Sequence, residues 1–588
     1  MRHQGTGRAA AAPAALLLIL GGLLSACAPF SGPLPGGAQP PAVFIQHTPG
    51  QGEFTYSIDL GSKPKSVYFT MTNPDPRLAA QSIPTIAGAD AAHAGGDARS
   101  VRVPAMPSWT AVGATPTRVS EFNRDPFSRV GGGARLGPSR DLSGIPEPTP
   151  DAVNDNRTMY DTRPNSAEYD FFATCKYVSN PAVDVGGSQT RKLNIWVQDW
   201  CLSATTGHEK AFYVSQAMVN NLAAAFLSSS AFNDIYDWVT TMIGAEWGPH
   251  PYTNLIPPNN EITILLCDIE DDNSPDGGVI GFFWAKDNFK DAYVYQPDPG
   301  QPNYFPYHSH ERIMFYIDAV MLANPFPPGR WEEEVASTLA HEFQHMVNFY
   351  QKLVVAGAAR GPDTWINELC SQSVEDLLAD KLLVPGPRGV DGTEGSAGPL
   401  NNPNGRLPLF NAYDSVSLSD WGDSGLLQSY SASYAFGAYL TRNYGGAGLI
   451  RAMVQSPLTG PDQIVAAVSE RTGRQETFGG LLQRWSLALL LSDHLDAPDE
   501  YAFNTGDFFL SSTGGQSYRV GSINFFNYQR DGYPGATGPA LYSGSGLVGT
   551  TPPLPASGIL YLAADNATGT RTWSVVLPKG ISMSVVVK

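Results

Sequence analysis

The chain has 588 residues, 42% of them hydrophobic and 16% charged, with a formal charge of −18. That length allows two or three domains around a large buried core, and the composition excludes an intrinsically disordered chain. The acidic balance repels phosphate backbones and so excludes nucleic acid as an expected partner.

The N-terminus reads as a targeting segment, residues 1–26. Arg2, His3 and Arg8 form a basic start, followed by the apolar run AAAAPAALLLILGGLL and then Leu24–Cys27, "LSAC". The run is short for a membrane-spanning helix, and small residues precede the cysteine. The pattern resembles a bacterial lipoprotein signal, with an ordinary cleaved leader or a short anchor as the alternative. It implies an exported protein whose Cys27 carries acyl chains that hold it to a membrane without crossing it. Ala28 in place of Asp is compatible with the outer membrane or cell surface.

Residues 27–165 are rich in Gly, Pro, Ala and Ser. Within them GEFTYSIDL and KSVYFTMTN alternate as strands do and predict a small β unit, whereas about 76–165 reads as linker. From 166 to 500 the texture changes. RKLNIWVQDW, EITILLCDI and GVIGFFWAKD predict strands, and EKAFYVSQAMVNNLAAAFL, RWEEEVASTLAHEFQHMVNFYQKL, INELCSQSVEDLLADKLL and YAFGAYLTRNYG predict helices. Strands followed by helices predict an α+β domain. The tail, 501–588, returns to short strands such as GILYLAA and SMSVVVK, which predicts a β-rich, sandwich-like C-terminal module. Export would place Cys175, Cys201, Cys267 and Cys370 in an oxidising compartment. Three pairings are possible; Cys175 with Cys201 is preferred because the two flank one strand, and Cys267 and Cys370 are as readily buried thiols.

HEFQHM, His341–Met346, carries the chemistry. Val335, Leu339, Phe343, Met346 and Tyr350 recur at helical spacing and predict a buried stripe. His341 and His345, four apart, then share another face and can reach one ion. Glu342 is displaced by about 100° from His341, so its carboxylate sits beside such an ion and can take a proton from the attacking water. At this composition chance order would produce His-Glu-x-x-His about 0.005 times. The plain alternative is a helix with two surface histidines. A third ligand is offered by Glu368 in DTWINELCSQSVEDLL, on a second helix 23 residues after His345. It would complete a two-His, one-Glu set with a position left open, as catalytic zinc requires.

The Asn-Glu pair on that second helix resembles the gluzincin metallopeptidases. HEFQHMVNFYQ, WINELCSQSVEDL, GGVIGFFWAKDNF and SYSASYAFGAYLTRNYGG together resemble the hyicolysin family of neutral metallopeptidases, over roughly residues 166–450. The resemblance implies a zinc metallopeptidase domain, a mixed sheet plus a helical active-site half, acting on protein or peptide substrates. Two departures stand out: Leu369 where Gly commonly follows the ligand Glu, and Gln372 where related enzymes carry an Asp that orients a histidine. Glu375 or Asp376 could serve instead. The spacing from Tyr430 to Gly445-Gly446 resembles the aminopeptidase-type helix whose tyrosine stabilises the oxyanion, with Tyr434 in reserve; either could equally be core. The Gly-x-Met-Glu-Asn strand of those aminopeptidases is missing, which favours an endopeptidase, and GGVIGFFWAKD stands in its place as an edge strand able to pair with extended peptide. Phe282, Phe283 and Trp284 would line the cleft or fill the core.

CDIEDDNSPDGG places Asp268, Glu270, Asp272 and Asp276 at alternate positions suited to Ca²⁺, but lacks the Gly and closing Glu of an EF-hand loop. It reads first as a solvated acidic turn. His308 and His310 alternate on an extended segment and point to opposite faces. The expected activity is thus zinc-dependent peptide-bond hydrolysis by a lipid-anchored enzyme. A surface binding or adhesion lipoprotein on a peptidase scaffold, and a zinc hydrolase of a non-peptide bond, are the alternatives.

Overall fold

The structure, a computed structural model, describes residues 44–48, 51–76, 86–88, 116–130, 150–162, 168–186, 189–228, 233–300, 304–326, 330–421, 425–495, 497–543 and 554–588. The expected leader and Cys27 lie outside the described residues. Among the described residues no helix is long and apolar enough to cross a membrane.

The fold is α+β. One mixed sheet runs in the order Gly281–Phe282, Met314–Asp318, Glu261–Cys267, Gln189–Gln198, Glu168–Val178, Asn156–Thr162, with Val183–Gly186 paired to Gln189–Gln198 off this path. The strands at 189–198, 261–267 and 314–318 are parallel. Ile262, Ile264, Leu265, Leu266, Met314, Phe315, Tyr316 and Ile317 are all fully buried. Such continuous apolar runs are what strands covered on both faces require. The edge strand Gly281–Phe282 is antiparallel to its neighbour, with Gly281 opposite Ile317. A Cβ on Gly281 would lie 2.8 Å from Tyr316 O and 3.0 Å from Thr338 Cγ2. Glycine is therefore needed for the edge strand and the helix Arg330–Asn348 to approach this closely.

The helical half is centred on Thr364–Leu382, which packs against Arg330–Asn348 on one side and Leu426–Asn443 on the other. Gly437 allows the second contact, since a Cβ there would meet Ser373 Oγ at 2.8 Å and Leu369 Cγ at 3.0 Å. A buried ion pair locks it: Arg442 Nη1 donates to Asp376 Oδ2 at 2.8 Å. The same guanidinium donates to Gly521 O at 2.7 Å, which ties in the hairpin of Phe508–Thr513 and Gln516–Gly521.

The two β-rich ends are not separate modules, which corrects the expected boundaries at 165 and 500. Strands Phe44–Thr48, Ser582–Val587, Lys65–Thr72, Ile559–Ala567 and Tyr542–Ser543 form one sheet, and Gly52–Asp59, Thr570–Leu577 and Ile86–Gly88 a second. Phe69, Met71, Leu560, Leu562, Trp573, Val575 and Val585 share one core. Each end supplies strands with one apolar face, and neither can bury it without the other. Strand Asn156–Thr162 belongs to the central sheet, and Val119, Phe122, Phe127 and Val130, from a stretch read as linker, are buried in the main core.

The four cysteines at 175, 201, 267 and 370 are free and buried, so the preferred Cys175–Cys201 bridge is absent. Cys175 pairs in register with Trp196 across the sheet. Cys201 lies beyond that strand, in the turn Asp199–Cys201, with Sγ 3.3 Å from Gln198 Oε1. Burial pushes the Cys175 thiol up to about 12, the state of a packing residue and not of a reactive one.

Breaking the Asp376–Arg442 pair tests this architecture. Asp376→Ala strands a buried guanidinium and is expected to cost about 3–5 kcal/mol in chemical denaturation. Arg442→Met added to it should recover part of that loss.

Candidate metal centre

The centre is built where two helices cross. On Arg330–Asn348 the stripe Val335, Leu339, Phe343 and Met346 is buried, as its spacing requires. This turns His341 and His345 to a shared face, their ring centroids 4.8 Å apart. Glu368, on Thr364–Leu382, meets both: its Oε2 is 3.0 Å from His341 Nε2 and its Oε1 is 3.6 Å from His345 Nε2. One nitrogen or oxygen donor from each of the three lies within 4.8 Å of the others. Among the described residues no other three His, Cys, Asp or Glu side chains converge in this way.

Charge explains the grouping. Burial opposes ionisation of Glu368, but the His345 and His341 imidazoles outweigh it and hold the carboxyl well below the usual carboxylate range. Burial likewise opposes charge on His341, yet hydrogen bonds to Glu368 and Glu375 hold its imidazole well above the ordinary value. Nδ1 of His341 donates to Glu375 Oε1 at 2.7 Å. That leaves Nε2 as the atom directed at Glu368. Two imidazole nitrogens and one carboxylate, one imidazole oriented from behind by a second carboxylate, is the donor chemistry that suits zinc.

Of the two residues the sequence leaves open behind the histidine, Glu375 is the one in contact. Asp376 is committed to Arg442. Gln372 acts elsewhere. Its Nε2 donates to Glu368 O at 3.2 Å and to Tyr430 O at 3.1 Å, tying the helix of Glu368 to that of Tyr430.

Glu342 is buried beside the centre, with Oε2 lacking a hydrogen-bond partner. Burial raises its carboxyl above the ordinary range against the opposing pull of His341 and His345. It faces a cavity of about 750 Å³, lined also by Gly281, Thr338, His341, Glu375, Arg406 and Tyr430. Tyr430 packs edge-on against Trp421 at 5.0 Å. Tyr434 is fully buried, with its hydroxyl unpartnered and away from that cavity. Phe282, Phe283 and Trp284 are core residues, each almost fully buried.

The opposite side carries a wall that the linker-like composition conceals. There His345 and Glu368 border a chamber of only about 30 Å³, closed by Ser120, Asn123 and Arg124 of the helix Thr117–Arg124. Asn123 Nδ2 donates to Phe283 O at 2.6 Å and its Oδ1 accepts from Ala285 N at 2.7 Å. Arg124 adds a pair to Asp363 at 3.0 Å. The spacing of Val119, Phe122, Phe127 and Val130 in TRVSEFNRDPFSRV is the signal that could have found it.

The acidic turn is dispersed among other partners. Lys210 pairs with Asp268 and, at 3.1 Å, with Asp271. Glu270 pairs with Arg118 at 3.1 Å, and Asp272 accepts from Ser274 N at 2.8 Å. His308 and His310 diverge, the first to Asp291 and the second to Asp287, each at 2.9 Å.

A family model described as Peptidase M30 matches residues 181–502. The chain is also similar to the neutral metalloprotease ShpI of Staphylococcus hyicus, at 25% identity over 237 residues, 39% of this chain and 46% of that protein. The match thus spans somewhat less than half of that relative's length.

The geometry separates the three candidate donors from the carboxylate behind them. His345→Ala is expected to abolish stoichiometric zinc retention in metal analysis after dialysis. Glu375→Ala should retain the fold yet weaken zinc affinity about 10–100-fold, the usual weight of a carboxylate behind a ligand histidine.

Proposed function

This chain belongs to the peptidase M30 family, and from that premise we propose that it is an exported, membrane-anchored zinc endopeptidase. The observation that carries the proposal is the convergence of His341, His345 and Glu368 beside Glu342, at the edge of a cavity large enough for a peptide. Zinc held by those three side chains would supply Lewis-acid polarisation of the scissile carbonyl and acidify a water.

The chain's own residues do the rest. Glu342 takes a proton from the attacking water and passes it to the leaving amine. Its burial, which raises the carboxyl, keeps it basic enough to accept and acidic enough to return that proton. The Tyr430 hydroxyl donates to the oxyanion as it forms. Glu375 holds His341 in the tautomer and orientation that present Nε2. The free side of the edge strand Gly281–Phe282 offers backbone groups to an extended peptide. The Gly-x-Met-Glu-Asn strand with which aminopeptidases hold a free substrate amine is not found in the sequence, which supports internal cleavage.

Export and anchoring rest on the basic start, the apolar run and Leu24–Cys27, and the relative named a neutral metalloprotease supports peptide bonds as the target. No calcium ion is assigned to residues 268–276, because Lys210 already neutralises Asp268 and Asp271.

Casein or a peptide library should be cleaved, with loss on chelation and return on adding zinc. Glu342→Gln should keep the metal and lose at least about a hundredfold in kcat; full turnover by that variant refutes the role. Tyr430→Phe should lower kcat about 10²–10³-fold with little change in KM. A preparation that binds zinc but cuts no peptide would favour hydrolysis of another bond.

A further inference from the structure

We propose that Arg406 is the substrate-carboxylate receptor of this cleft, an inference that rests on the peptidase reading above. The cavity is strongly acidic: Glu333, Glu334, Glu342, Glu375 and Asp531 line it, and Arg406 is the one Lys or Arg among the lining residues. Its guanidinium stands 5.4 Å from the centre of the Tyr430 ring. Among the described residues no carboxylate forms an ion pair with it, and the side chain is half-buried. An arginine held in a cleft with five donors and no acid to satisfy them is poised for an incoming carboxylate, which its planar fork grips in two-point fashion.

The backbone beneath it is fixed. Arg406 N donates to Pro387 O at 2.9 Å. A Cβ on Gly405 would meet Pro387 O at 2.6 Å, and one on Gly389 would meet Asn404 O at 2.4 Å, so the two loop segments are pressed together. The guanidinium is presented from this rigid loop, beside the tyrosine assigned to the oxyanion.

Among the described residues, the larger cavity is the side with room for substrate. Opposite, the chamber at His345 and Glu368 measures about 30 Å³, and Asn123 already occupies Phe283 O and Ala285 N, the backbone groups an extended peptide would need there. Side chains next to the scissile bond therefore enter the 750 Å³ cavity. A substrate carboxylate entering it is repelled by the five carboxylates of the wall and accepted at Arg406. The carboxylate comes either from a chain terminus or from an Asp or Glu side chain.

Two peptide pairs distinguish these sources, one differing only in a free versus amidated C-terminus and the other only in an internal Glu versus Gln. The wild-type enzyme is expected to favour the charged member of one pair by about 10–100-fold in kcat/KM, the worth of a charge-assisted contact. Arg406→Gln should erase that preference and Arg406→Lys should restore part of it. The pair that responds names the source. Calorimetric binding of the same pairs to zinc-loaded Glu342→Gln protein reads the preference without turnover. Absent cleavage then counts against the peptidase reading, while the binding preference still decides the role of Arg406. A wild-type protein indifferent to charge in both pairs, or a preference that survives Arg406→Gln, overturns the proposal.

Discussion

Two imidazoles meet inside this protein around one carboxylate, that of Glu368, and much of the helical half is arranged to make that meeting tolerable. Removing a carboxylate and two imidazoles from water is costly unless each is paired. Glu368 is satisfied by His341 and His345, and His341 in turn by Glu375. The pairing demands that two helices hold their register closely. That demand explains supports remote from the chemistry: Gly437 drawing a third helix onto Thr364–Leu382, Gln372 spanning two backbones, and Asp376 with Arg442 clamping the far end. A cation placed among the three donors would likewise balance the buried charge of Glu368.

The sequence is most legible where chemistry and helical period coincide. His-Glu-x-x-His locates two candidate donors and an adjacent carboxylate on one helix with no tertiary information, because four residues make about one turn. Glu368 follows from order along the chain and from the open valence of the set. The residue behind His341 narrows to Glu375 or Asp376 and no further, since adjacent positions on a helix differ only in azimuth and the packing of Arg442 decides between them. The pairing of the two β-rich ends is not legible at all: Lys65–Thr72 and Ile559–Ala567 pair antiparallel across nearly the whole chain, and alternation in each strand says that a partner exists without saying where. Asn123 is hidden in linker-like composition, and Arg406 in NNPNGR, which reads only as a turn.

The wall formed by Thr117–Arg124 changes how the cleft is to be understood. In an open cleft both halves of an edge strand are available to substrate. Here Asn123 supplies, from within the chain, a carboxamide that pairs with Phe283 and Ala285 as a peptide group would. The helix bearing it packs Phe122 against Phe289, and Phe127 just past its end packs on the same ring, so it is part of the core and not a loosely held flap. Two backbone groups just past the edge strand are thereby taken, and the space beside His345 and Glu368 is reduced to the small chamber.

Asymmetry of space is then matched by asymmetry of charge. With one side closed, discrimination falls to the large cavity, where carboxylates dominate and would by themselves admit only neutral or basic peptides. A single guanidinium reverses the sign over a few ångströms, beside the ring of Tyr430. Because the surrounding acids repel a misplaced anion while Arg406 attracts a correctly placed one, the acidic walls and the guanidinium act together: attraction sets where a carboxylate rests, and repulsion disfavours the other registers. On the proposed peptidase reading, register on the strand would bring one particular amide to Glu342, so the charges that select the peptide would also choose the bond.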